Sequence, residues 1–131
     1  MNAKVLGKVE LEIMEGVWRK TTAVSVRDVL EALYPKGEKA YTTVQTIMNI
    51  LVEKGVLRKE KIGMVNFYTS VLSRDEAKGT ETQSLVSRLF KGSFGELATY
   101  LVESGEMSQE DIASLRESIE HHRMKGGDRA C

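Results

Sequence analysis

Residues 40–70 read AYTTVQTIMNILVEKGVLRKEKIGMVNFYTS, and this stretch decides the fold. Val44, Ile47, Met48 and Leu51 fall at i, i+3, i+4 and i+7, an apolar helical stripe that faces a core. Thr42, Gln45, Thr46, Asn49 and Glu53 occupy the opposite face, which is polar and uncharged until Glu53. A solvated helix face usually carries Lys and Glu pairs, whereas short hydrogen-bonding side chains suit close approach to a surface. Gly55 follows as a helix C-terminal glycine. Residues 56–62 then alternate aliphatic with basic side chains, Gly63-Met64 offers a turn, and 65–71 is rich in β-branched and aromatic residues, so the spacing predicts a hairpin. A helix with a polar reading face followed at once by a basic hairpin is the layout of a winged helix-turn-helix. The helix would enter a DNA major groove, and Arg58, Lys59 and Lys61 on the hairpin would touch the flanking backbone.

Upstream, residues 5–19 place Leu6, Val9, Ile13, Met14, Val17 and Trp18 on one helical face, with Glu10, Glu12 and Glu15 on or near the other. Residues 21–24 form a short connector. Ser25 and Asp28 have capping-box spacing and open a second helix with Val26, Val29, Leu30 and Leu33 inward. Tyr34 and Pro35 stop it, and residues 36–39 lead back to the organising stretch.

Downstream, Ser73 and Glu76 form another capping box, before a helix to about Lys91 whose stretch at 78–82 is polar all round and is expected to connect rather than pack. Ser93 with Glu96 and Ser108 with Asp111 open two more helices. The apolar residues of the three helices include Leu85, Leu89, Phe90, Phe94, Leu97, Leu101, Ile112, Leu115 and Ile119, too few to make a core alone. A second copy of the chain would give them a partner, as two-half-site DNA readers need. The expected architecture is mainly α with a small β-hairpin: a winged-helix DNA-binding domain over 1–71, a helical homodimerisation module over 72–124, and a disordered tail over 125–131.

The 131 residues are 41% hydrophobic and 29% charged, a globular composition with no apolar run of membrane-spanning length. Membrane insertion is not expected, and the absence of a secretory apolar segment at the N-terminus points to the cytoplasm. Cys131 alone can form no internal disulfide, and no cofactor or metal is expected. The net charge of zero hides an asymmetry: residues 1–70 hold 11 Lys/Arg against 8 Asp/Glu, and residues 71–131 hold 8 against 11. A mildly basic front and an acidic rear suit a DNA reader followed by an association module.

Several pieces together resemble the penicillinase repressor family of BlaI/MecI-type regulators. They are residues 11–14 with Val17-Trp18, residues 26–30, the AYTTVQT run at 40–46, residues 51–55 with the basic hairpin, and residues 107–110, in one order over about 5–120. The resemblance implies a dimeric winged-helix repressor on a palindromic double-stranded operator. By position it implies base and phosphate contacts for Thr42, Thr43, Gln45 and Thr46, and backbone contacts for Tyr41, Lys54, Arg58, Lys59 and Lys61. It further implies control of β-lactam resistance genes and inactivation by a sensor-protease cutting within the dimerisation module. The corresponding bond is Tyr100-Leu101, where the best-known members have Asn followed by Phe; Ile50 replaces a frequent Arg. The copper-sensing relatives' terminal cysteine cluster is missing.

Plainer readings stand beside these. Thr42, Thr43, Gln45 and Thr46 also fit a solvated helix face, and the hairpin's charges also discourage edge pairing. His121-His122 point in different directions on a helix and suit solvent better than a metal. Rival functions are a winged-helix protein-interaction module and a directly ligand-gated regulator, with Phe90, Phe94 and Tyr100 near an effector. No P-loop, HExxH or GxSxG motif occurs, so an enzyme is not expected.

Overall fold

The computed structural model describes residues 5–125, and the first two helices begin as their local chemistry dictates. Helix α1 (Lys8–Trp18) opens where the Gly7 N–H donates to Glu10 Oε1 at 2.8 Å. It buries Ile13, Met14 and Val17, and also Gly16, where an added Cβ would lie 2.9 Å from a Leu33 methyl. Helix α2 (Val26–Leu33) has the expected reciprocal cap: Asp28 N–H donates to Ser25 Oγ at 3.1 Å, and Ser25 N–H to Asp28 Oδ2 at 3.0 Å. Helix α3 (Tyr41–Glu53) ends in a Schellman motif. Gly55 at φ +80° lets its own N–H reach Val52 O at 3.0 Å and that of Val56 reach Leu51 O at 3.0 Å.

The stripes meet in one core. Ile13, Met14, Val29, Val44, Met48, Leu51, Val56, Leu57 and Tyr68 are fully enclosed, each aliphatic side chain contributing about 1.5–3 kcal/mol relative to exposure. Trp18 sits at the core's edge, its indole N–H donating to Leu72 O at 2.9 Å and to Ser70 Oγ at 3.1 Å.

Strands β1 (Leu57–Ile62) and β2 (Val65–Ser70) pair antiparallel around Gly63-Met64. Gly63 has φ +65°, the first-position requirement of a two-residue II′ hairpin turn. The stretch expected as a mere connector does more: Val24 pairs with Tyr68 through N–H···O contacts of 3.0 and 2.7 Å. One bridged residue is too short to show alternation, so its sequence carried no strand signal.

Helix α4 (Arg74–Leu89) starts at the expected Ser73–Glu76 box, with contacts of 2.9 and 3.0 Å. The polar stretch at 78–82 is expected to connect rather than pack; Lys78, Gly79 and Thr82 are exposed, and Glu81 alone in this stretch is seen to reach back to the N-terminal unit's first residues. Ala77 is buried in the core, Arg74 pairs with Glu15 at 2.7 Å while lying 5.5 Å from the Trp18 ring, and Glu81 accepts the Leu6 N–H at 2.8 Å. A polar packed surface of this kind leaves no apolar stripe to read.

The chain divides into two compact units between Ser84 and Leu85, a boundary that α4 runs through. The expected boundary is at 71/72; the first turns of α4 instead join the N-terminal unit through the contacts just named. The second unit continues with α5 (Phe94–Glu103), capped by Ser93 Oγ accepting the Glu96 N–H at 3.1 Å. It ends with α6 (Gln109–Lys125), capped reciprocally by Ser108 and Asp111. Phe90 and Tyr100 pack with ring centroids 6.0 Å apart. Among the described residues of this unit only Val86 is buried, while Leu89, Phe94, Tyr100, Leu101, Val102 and Ile119 are all exposed. Lys125 closes α6, and the remainder of the expected tail, including Cys131, lies outside the described residues. No described helix is long and apolar enough to cross a membrane.

Candidate nucleic-acid interface

Helix α3 is fixed from beneath by Val44, Met48 and Leu51, all at 0% exposure, so its outer face is held rigidly toward solvent. Thr42, Thr43 and Thr46 are exposed there, and Gln45 and Asn49 are half-buried at its margins. Helices α2, α4, α5 and α6 each open on a serine hydroxyl that accepts a backbone N–H. Helix α3 opens on Ala40, which has no side-chain cap to offer. The positive end of the α3 dipole is therefore left facing outward beside Thr42 and Thr43.

The wing is locked to this helix by one side chain. Asn49 Oδ1 accepts from the buried Tyr68 hydroxyl at 3.0 Å and from Lys59 Nζ at 3.1 Å. Burial, and then the neighbouring Tyr41, push the Tyr68 phenol pKa up, which keeps the hydroxyl in its donating form. The register pairs Lys59 with Tyr68 and Lys61 with Asn66, so alternation places both lysines on the side of the sheet that carries Tyr68 toward α3. Arg58 pairs with Thr69 and lies on the opposite side, with Glu60. The hairpin's three cations thus do not share one face.

Lys54 is placed differently again. Its ammonium binds Glu10 Oε1 at 2.7 Å and Val5 O at 3.3 Å, tying α3 to the N-terminal end of α1. Burial raises the Glu10 pKa, but the Lys54 hydrogen bond, the Gly7 N–H and the Lys54 charge outweigh it, so the carboxyl ends below its ordinary value. The structure therefore brings together Tyr41, Thr42, Thr43, Gln45, Thr46, Lys59 and Lys61, and turns Lys54 and Arg58 elsewhere.

Three residues of this surface escape a reading of the sequence by role. Asn49 was visible only as one more polar position. Arg27, exposed on α2, lies 5.7 Å from the Tyr41 ring centroid. Arg27 and Asn66 line, with Tyr41, Gln45 and Met64, a groove of about 320 Å³ between the start of α3 and the hairpin tip. The periodicity of α2 shows that Arg27 faces outward, but nothing local shows what it faces.

Among the described residues no three His, Cys, Asp or Glu side chains are grouped to hold a metal, and His121 and His122 are both exposed on α6.

Comparison with known proteins matches residues 6–121 to the family model described as penicillinase repressor. A penicillinase repressor of Bacillus licheniformis is 25% identical over 118 residues, covering 90% of this chain and 91% of that protein. A 16.5 kDa protein of Latilactobacillus sakei is 33% identical over 118 residues, covering 90% and 80%. The methicillin resistance regulatory protein MecI of Staphylococcus aureus is 25% identical over 111 residues, covering 85% and 89%. The solved DNA-binding domain of the repressor BlaI superposes with a TM-score of 0.50 at 25% identity, covering 58% of this chain and 90% of that one. The relatives named for a role are regulators, not enzymes.

Proposed function

Because this chain belongs to the penicillinase repressor family, we propose that it is a DNA-binding transcriptional repressor that acts as a homodimer on a palindromic operator. The observation that carries this reading is the exposed, uncharged face of Thr42, Thr43 and Thr46 on a rigidly seated α3, flanked by Lys59 and Lys61. Threonine hydroxyls bond phosphates or base edges, Gln45 matches the paired donor and acceptor of adenine, and the lysines neutralise backbone charge.

The homodimer reading is supported by the second unit, whose exposed Leu89, Phe94, Leu101 and Ile119 have too little to bury against within one chain. A two-fold pair of such units presents two reading helices, and a two-fold protein matches a palindromic site. Each half-site binds weakly alone, so loss of the dimer releases the operator without altering α3. Cleavage at Tyr100-Leu101 would act in this way. Both residues are exposed on α5, and a protease needs that helix to open locally before the bond is extended. Genes of β-lactam resistance are the proposed targets, by likeness to the named relatives.

The test is binding of the purified chain to the fragment upstream of its own gene, against random DNA of equal length, over a range of salt. Preference for the upstream fragment with two chains per site supports the reading. Binding that ignores both sequence and salt would move the surface to a protein partner.

A further inference from the structure

We propose that the groove between the starts of α2 and α3 and the tip of the hairpin seats one sugar-phosphate strand of the DNA, with Arg27 as its phosphate ligand. The proposal rests on the DNA-reading function above and assigns a contact to that surface.

The groove, of about 320 Å³, has the reading helix as one wall, through Tyr41 and Gln45, and the hairpin tip as the other, through Met64 and Asn66. A protein that lays a helix in the major groove and a wing in the adjacent minor groove must leave a channel for the phosphate ridge between them. This groove lies where that ridge has to pass.

Its lining has the matching chemistry. Arg27 is exposed, and among the described residues no carboxylate forms an ion pair with it. The Tyr41 ring, 5.7 Å from the guanidinium carbon, restricts where the fork points without consuming its N–H donors. A planar guanidinium then meets two phosphate oxygens at once, which a lysine cannot. Asn66 pairs with Lys61 across the hairpin, so it shares the lysine's side and adds an amide donor to the same channel. Met64, 91% exposed at the tip, offers an apolar surface for a deoxyribose face. The assignment also replaces Lys54, whose charge is spent on Glu10, with a cation that is unspent.

The test uses the full chain, the upstream duplex and a random duplex, each titrated over a salt series, with urea midpoints to verify folding. Arg27→Ala should weaken both duplexes by a similar factor and lower the slope of log affinity against log salt by about 0.9. Arg27→Lys should keep the slope but bind less tightly, and Tyr41→Leu should weaken binding with the slope unchanged. An Arg27→Ala protein with the parental slope, alongside a Lys59→Ala protein with a reduced one, would overturn the groove assignment and leave DNA reading intact. A parent that binds neither duplex overturns both.

Discussion

The hydroxyl of Tyr68, buried in β2, donates to Oδ1 of Asn49 on α3 at 3.0 Å, and the same oxygen accepts Lys59 Nζ at 3.1 Å. One amide thus holds the hairpin at a set distance from α3 and presents a hairpin lysine beside it.

Asn49→Ala should strand the buried Tyr68 hydroxyl and cost about 1–3 kcal/mol in urea denaturation, whereas Tyr68→Phe, which removes the donor itself, should cost about 0.5–1.5 kcal/mol. In the double variant the costs should fall short of their sum, because the two residues share one contact. Full additivity would show that the hydrogen bond does not couple wing to helix.

Thr43→Ala and Thr46→Ala leave the α3 underside untouched, so dimer and melting temperature should stay parental. Each should lose several-fold in preference for operator over random DNA, about 1 kcal/mol for one hydrogen bond. If both variants discriminate like the parent in a competition titration, α3 is not the reading helix.

Lys54 and Lys61 should separate stability from DNA binding. Lys61→Ala should lower the salt slope by about 1 with little effect on folding. Lys54→Ala should keep the slope and lower stability, because it leaves Glu10 without its counter-ion.

That pair also predicts a pH dependence. The Glu10 carboxyl has a lowered pKa in the folded chain, so the ionised form is favoured by folding. Its contribution is fully present above the unfolded glutamate value of about 4.3 and disappears as pH falls through the lower folded value. Acid unfolding of Lys54→Ala should therefore be less steep in this range than that of the parent, as read by urea midpoints at stepped pH.

In the second unit, Leu89→Asp or Phe94→Asp places a charge on a face that the proposed dimer buries. Sedimentation should show monomer, and operator affinity should fall at least tenfold, the size of an interface hot spot of about 2 kcal/mol, while random-DNA binding per chain is retained. A dimer that survives both changes would place the interface elsewhere.

The helices of the N-terminal unit were legible because each has an apolar stripe, as in Val44 to Leu51, and local signals add to it where they occur: Ser25 and Asp28 box the start of α2, and Gly55 in the left-handed region ends α3. The hairpin was legible because Gly63 has a turn to make and residues 65–71 are rich in β-branched and aromatic side chains. The contacts of α4's first turns were not, because Arg74 and Glu81 reach Glu15 and Leu6, 59 and 75 positions away, by charge and hydrogen bonding rather than by periodic apolarity.

By itself the sequence determined which residues form helices and strands, which faces are apolar, and that a polar α3 precedes a basic wing; these follow from periods of 3.6 and 2 and from local capping. Tertiary structure alone decided how the charges are used. Lys54 and Lys59 both look like free cations in a basic stretch, yet one is drawn back to Glu10 on α1 and the other is set beside α3 by Asn49. Arg27 and Tyr41 stand 14 positions apart and belong to one groove. Periodicity gives the direction in which a side chain leaves its own backbone, whereas its partner depends on where a different element has packed.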